Sequence, residues 1–209
     1  MVAPHPDDET LGFGGTALAA AARGVAVRTV IVSDGGAAWP GLSAHERTRL
    51  ERSRRRESRS AAALLGLPQP LFLGLPDGDL PAQESRLIDI LSGILEDGPP
   101  GTWCAATWRG DGHPDHEAVG RAAAVAASRT GAVLMEYPVW MWHWARPGEP
   151  GVPWDHAYRT VLDPTAAEHK RQAAAAFRTQ LESGGPGRDP ILPAHVVARL
   201  HDVGELVFR

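Results

Sequence analysis

The sequence predicts a single α/β domain over residues 1–209, built on a mostly parallel, twisted sheet with helices on both faces. Two observations predict it. Strand-like, β-branched segments alternate with helical segments along most of the chain, and polar clusters fall just after the strand-like segments, where ligands collect in parallel sheets. A chain of 209 residues is long enough to bury one real core and short for two.

The elements follow in order. Met1-Val2-Ala3 leaves room only for a very short first strand, unless an earlier start has been trimmed. LGFGGTALAAAARG reads as a helix of small residues ended by Gly24. Val25 to Ser33 is β-branched and bounded by Asp34-Gly35-Gly36, which predicts a buried strand. Ser43 and Glu46 form a capping box ahead of a long helix from Ala44 to about Leu65, with Gly66 just beyond. LFLGL is a short strand and LPDGDL is turn chemistry. Glu84 to Glu96 places Leu87, Ile88, Leu91, Ile94 and Leu95 on one helical face. TWCAAT is a strand, WRGDGHPD a loop, HEAVGRAAAVAASR a helix and AVLMEY another strand. The stretch from Tyr137 to Tyr158, dense in tryptophan and proline, reads as a structured loop. TAAEHKRQAAAAFRTQLES is helical by propensity, and the closing stretch packs back through Val196, Val197, Leu200 and Val207.

The totals exclude several classes. A formal net charge of −4 gives no general argument for nucleic acid. One cysteine, Cys104, rules out an intrachain disulfide framework and suits a reducing compartment. No apolar run approaches the roughly 18 residues of a membrane span, and the start shows neither a basic nor an apolar leader region. A soluble, cytoplasmic protein is the expectation.

Two clusters carry chemistry. His5, Asp7 and Asp8 follow the first strand, and His113, Asp115 and His116 follow TWCAAT, so both belong at one sheet edge. Together they offer imidazole nitrogens and carboxylate oxygens. Two histidines and one aspartate with an open position suit catalytic zinc, leaving a carboxylate and a histidine as base and acid. Such a site also suits iron or cobalt.

PHPDDE followed by HPDH resembles the signature of the LmbE-like, or PIG-L, family of zinc-dependent N-deacetylases. Arg54-x-x-Glu57 with the following LLG, LPDG at Leu75 to Gly78, and KRQAAAAFRTQL, where a Lys precedes a Thr-Gln pair, extend the likeness over most of the chain. The resemblance implies a Rossmann-like domain that removes an acetyl group from an N-acetylated amino sugar conjugate, a small molecule, with the site at the carboxyl ends of the strands. It implies His5, Asp8 and His116 as zinc ligands, Asp7 as general base, His113 as general acid and Asp115 as the carboxylate that orients and charges that histidine. Arg54 and Asp77 become candidates for binding substrate hydroxyls, and Trp108 and Trp140, two of seven tryptophans, for a carbohydrate wall. Members of the family often assemble, so a homo-oligomer is the matching expectation. One position departs: where some sugar deacetylases place a tyrosine that holds the oxyanion, two residues before the first His of HPDH, this chain has Asp111. Either Asp111 points away, or another donor does that work.

Rival readings rest on other residues. Gly12-x-Gly14-x-x-Ala17, with Asp34 ending the next strand, fits a dinucleotide fingerprint and an oxidoreductase, but PHPDDET intervenes between strand and glycines. A same-fold amidase for a larger amide, such as a thiol conjugate, and a metal-holding protein without turnover complete the set. The run HERTRLERSRRRESR predicts a solvated helix face with i, i+4 pairs rather than a nucleic-acid surface.

Overall fold

A computed structural model describes residues 1–209. The strands are β1 (Val2–Ala3), β2 (Val30–Ser33), β3 (Leu71–Leu75), β4 (Trp103–Thr107), β5 (Val133–Tyr137), β6 (Ala157–Thr160) and β7 (Glu205–Phe208). They form one sheet in the order β3-β2-β1-β4-β5-β7-β6. The first five are parallel, whereas β7 runs antiparallel to both β5 and β6. The helices are α1 (Asp8–Ala21), α2 (Ala44–Leu64), α3 (Glu84–Glu96), α4 (Pro114–Thr130), α5 (Met141–Trp144), α6 (Pro164–Ala174), α7 (Arg178–Leu181) and α8 (Ala194–Asp202). None is long and apolar enough to cross a membrane.

Alternating strand residues feed opposite faces, as the pleat requires. Val30, Val32, Cys104 and Ala106 pack against α3 and α4 through Leu87, Leu91 and the alanines of α4. Ala105, Met135 and Tyr137 pack on the other face against Leu11, Phe13, Phe177, Val196 and Leu200. Burial on both faces is why the central strands β2 and β4 are largely apolar rather than alternating.

Several boundaries differ from the sequence reading. β2 begins only at Val30, because both its neighbours first pair with it there; Val25 is exposed. α1 starts at Asp8, so the second aspartate of PHPDDE is already helical. The helix expected over TAAEHKRQAAAAFRTQLES is broken into α6 and α7 at Phe177, whose ring is fully buried; core packing overrides alanine propensity there. The tryptophan-rich loop contains α5, and the closing stretch adds β7, which pairs with β6. The capping box of Ser43 and Glu46 forms as expected. The expected i, i+4 ion pairs along α2 do not: Glu46 serves the cap and reaches Arg188, and Glu57 accepts from Thr179.

Candidate metal centre

Five strand ends supply the site. β1 runs into Pro4-His5-Pro6-Asp7, β2 into Asp34-Gly35, β3 into Pro76-Asp77-Gly78, β4 into the loop before α4, and β5 into Pro138-Val139-Trp140. Asp7 is the only non-glycine residue at positive φ, with φ 128° and ψ −34°. It stands at the N-cap of α1, yet its carboxylate makes no capping bond. Its carbonyl takes the first helical amides, from Thr10 and Leu11, and its N–H donates to Glu9. A backbone held there costs on the order of 1–3 kcal/mol and leaves the carboxylate in the cleft.

His5 Nδ1, His116 Nε2 and Asp8 Oδ2 form a near-equilateral triangle. The edges are 3.2 Å between the nitrogens, 3.3 Å from His5 to Asp8 and 3.4 Å from His116 to Asp8. A tetrahedral ion with bonds of about 2.0–2.1 Å sets its donors roughly 3.3 Å apart, so the three atoms fit such an ion. The opposite nitrogens are also engaged. His116 Nδ1 lies 2.6 Å from Asp111 Oδ2, and His5 Nε2 lies 3.0 Å from Asp77 Oδ1 and 3.2 Å from Asp115 Oδ2. A carboxylate behind each imidazole fixes the tautomer that turns the other nitrogen inward. The carboxylates are themselves tethered: Asp111 accepts N–H bonds from Val139, Trp140 and Met141, Asp115 from Gly78 and Leu80, and Asp77 from Ala37.

Charge in the cage follows from this crowding. Burial works against protonating His5, but hydrogen bonds to Asp115, Asp77 and Asp8 outweigh it and hold its pKa well above the usual value. Burial and the adjacent Asp8 push Asp7 well above the carboxylate range, while the facing His116 and His5 hold Asp8 below it against burial. The site therefore attracts positive charge among its donors and keeps one carboxylate basic.

His113 caps α4, and its Nδ1 accepts the main-chain N–H of Asp115 at 3.2 Å. Burial, then His116 and His5, lower its pKa to about 4, with Asp115 acting the other way. The Asp115 carboxylate is hydrogen-bonded to His5 and the two loop amides, so its orienting contact is with His5 rather than His113. His5, His113 and Asp115 also lie within ligand reach of one another, but the His5 nitrogen on that side is the one held by carboxylates.

A cleft of about 180 Å³ opens over these groups and includes Arg54, Asp77 and Trp140 in its lining. Arg54 is buried and donates to Gly35 O at 2.7 Å and Gln180 Oε1 at 2.6 Å. Gln180 in turn donates to Pro6 O at 3.1 Å, tying α7 to the loop that carries His5 and Asp7. The Thr-Gln pair was the available signal for Gln180, but no role followed from it. Trp108 does not reach the cleft: it is buried against Phe208, with ring centroids 4.8 Å apart, in a separate apolar cluster. Asp111 does point away from the cleft, into the amides of residues 139–141, where its charge serves His116.

The dinucleotide fingerprint dissolves on inspection of its residues. A Cβ on Gly12 would lie 2.1 Å from the Tyr137 ring, and one on Gly14 would lie 3.2 Å from Leu65, so these glycines permit close packing of α1. Asp34 pairs with Arg55 at 2.5 Å.

Comparison with known proteins places the chain in a family. The PIG-L family, described as GlcNAc-PI de-N-acetylase, matches residues 1–127. The chain belongs to that family. It is 30% identical to a 1D-myo-inositol 2-acetamido-2-deoxy-alpha-D-glucopyranoside deacetylase of Mycolicibacterium vanbaalenii, over 94% of this chain and 85% of the relative. It is 33% identical to the enzyme of that name from Mycobacterium sp. (strain KMS), over 62% of this chain, and spans only about half, 49%, of that relative's length. Among solved structures, the A40926 pseudoaglycone deacetylase Dbv21 superposes with a TM-score of 0.68 at 27% identity, over 99% of this chain and 94% of that one.

Proposed function

We propose that the protein is a metal-dependent N-deacetylase that hydrolyses the acetamide of an N-acetylated amino sugar conjugate. The observation that carries this reading is the triangle of His5, His116 and Asp8, with a tethered carboxylate behind each imidazole. The deacetylase names of the relatives over the matched segments support the reaction class.

His5, Asp8 and His116 would hold the ion, with zinc the first choice and iron or cobalt compatible. Bound there, it would supply Lewis acidity to a water and to the acetyl carbonyl. Asp7 is the proton acceptor, since its carboxylate lines the cleft without a capping bond and burial keeps it basic. Water adds to the acetyl carbon, the carbon–nitrogen bond breaks, and acetate leaves. His113, on the other wall, hands on to the departing amine the proton that Asp7 took from the water. Its Nδ1 faces the Asp115 amide, which leaves Nε2 as the nitrogen that carries this proton. Arg54 remains a substrate-hydroxyl candidate by its place in the cleft lining; its Nε is buried without a partner, and its two Nη atoms donate to Gly35 O and Gln180 Oε1.

Metal content by mass spectrometry, with acetate release from N-acetylglucosamine conjugates, tests the reading. The expected result is about one zinc or iron per chain in the native protein, lost in His116→Ala. Asp7→Asn is expected to keep the metal while turnover falls by about 10²–10⁴-fold. A protein that takes up no metal when supplied with zinc, or an Asp7→Asn variant with undiminished turnover, would overturn the assignment.

A further inference from the structure

Two flat peptide units meet at the Cα of Asp7, and their orientations set its φ and ψ. The unit after it is fixed by α1, since the Asp7 carbonyl accepts from the N–H groups of Thr10 and Leu11, both at 2.9 Å. The unit before it lies outside the helix, yet buried side chains engage both of its polar groups. The Asp7 N–H donates to Glu9 Oε2 at 3.2 Å, and the Pro6 carbonyl accepts from Gln180 Nε2 at 3.1 Å. Each of these side chains is itself oriented. Thr10 Oγ1 donates to the other Glu9 oxygen at 3.1 Å. Arg54 donates to Gln180 Oε1 at 2.6 Å, which leaves the amide NH2 for Pro6.

Turning the Pro6–Asp7 peptide over would let Asp7 leave its positive φ and shed the strain of that conformation. The reversed peptide would set the Pro6 carbonyl against the Glu9 carboxylate and the Asp7 N–H against the Gln180 NH2. Acceptor would meet acceptor and donor would meet donor, with two main-chain groups left unpaired. The two side chains thus form a clamp that admits one orientation. Resting on the reading of Asp7 as the proton acceptor, we propose that Glu9 on α1 and Gln180 on α7 are positioning residues. They hold the Pro6–Asp7 peptide in the orientation that leaves the Asp7 carboxylate in the cleft. Glu9 does not line the cleft, so its effect on the reaction runs through the Asp7 backbone.

The metal-loaded enzyme should be assayed for acetate release from N-acetylglucosaminyl inositol or diacetylchitobiose, whichever it turns over faster. Glu9→Leu, which removes the acceptor, is expected to lower kcat by about 10²-fold with KM within about threefold and metal content unchanged. Glu9→Gln keeps an acceptor oxygen for the Asp7 N–H and should retain kcat within a few-fold. Added to Asp7→Gly, which has no side chain to aim, Glu9→Leu should lower the residual rate by less than about threefold. Should Glu9→Leu fail to fold, Gln180→Met removes the other half of the clamp and takes its place in the same cycle. Undiminished kcat without the clamp, Glu9→Gln as slow as Glu9→Leu, or the full loss repeated in the Asp7→Gly background would overturn the proposal and leave the deacetylase reading standing. Absence of acetate release with metal bound would overturn the deacetylase reading instead, and urea unfolding then decides the clamp. Asp7→Gly should have a higher midpoint than Asp7→Ala, because glycine tolerates positive φ, and Gln180→Met should narrow that gap by at least half. No gap, or one that Gln180→Met leaves unchanged, would end the proposal.

Discussion

Asp111 and Asp115 are both fully buried carboxylates, and each backs one of the two imidazoles that would hold the ion. Removing such a partner loosens ring orientation and ligand basicity, and typically costs 10–100-fold in metal affinity. Asp111→Asn is therefore expected to weaken metal binding by about that factor, measured by competition with a chromophoric chelator, while the fold survives because the Asn Oδ1 can still accept from the amides of Val139 and Met141. Asp115 gives a sharper contrast. If it serves His5, as its 3.2 Å contact indicates, Asp115→Asn lowers metal affinity while turnover at saturating metal stays within a few-fold. If it serves chiefly His113, affinity is unchanged and turnover falls by about 10²-fold or more. The convergence of the candidate donors was legible in the sequence because HPDD and HPDH compress them into contiguous motifs at strand ends. The role of Asp111 was not, because its partners at Val139, Trp140 and Met141 lie about thirty residues away and meet it only through the β4–β5 pairing.

At the scale of elements, the opening helix matters most, because α1 carries Asp8 and must lie close on the sheet. Its glycines make that approach possible. Gly12→Ala would drive a methyl into the Tyr137 ring, whose hydroxyl is anchored to Val2 O at 2.7 Å and cannot readily swing away. The expected cost is about 1–3 kcal/mol in a denaturant titration, with no nicotinamide dinucleotide binding in either protein. The C-terminal helices give a second, independent test. His201 on α8 has its pKa lowered by burial, then by Lys170 and Arg171 of α6, with Asp202 opposing. The unfolded chain, with an ordinary imidazole pKa of about 6.5, takes up a proton that the folded state resists. Stability is thus lost as pH falls below 6.5 and levels off once the folded pKa is passed. His201→Asn should narrow the gap between melting temperatures at about pH 7.5 and pH 5.5. Element type was readable wherever periodicity was strong, as in α2, α3 and β4. It failed at the α6–α7 break, where alanine propensity says helix and the burial of Phe177 says turn. It failed again at β6 and β7, since four-residue strands separated by over forty residues leave no local trace of their pairing.

Over the whole molecule, the C-terminal third closes a site that the first two thirds supply. Glu205 on β7 is buried, accepts from the main-chain N–H groups of Gly15 and Thr16 in α1, both at 2.7 Å, and forms an ion pair with Lys170 on α6 at 2.9 Å. Lys170 has no further acceptor, so this one carboxylate joins the antiparallel end of the sheet, α6 and the helix that begins at Asp8. Removing a single partner of a buried pair leaves the other charge uncompensated, which costs about 3–5 kcal/mol. Lys170→Met is expected to lose about that much stability in urea unfolding, whereas Lys170→Met with Glu205→Gln should recover part of it, because the buried charge is gone and the amide oxygen still accepts from one of the two α1 N–H groups. The same pair of proteins separates anchoring from chemistry. α7 follows α6 directly and sends Gln180 to Pro6 O beside Asp7, so a site that depends on this closure should lose turnover in Lys170→Met and regain it in the double variant. Metal content should stay constant in the folded fraction, since every proposed donor to the ion lies within the first 116 residues, on or beside β1, β4, α1 and α4.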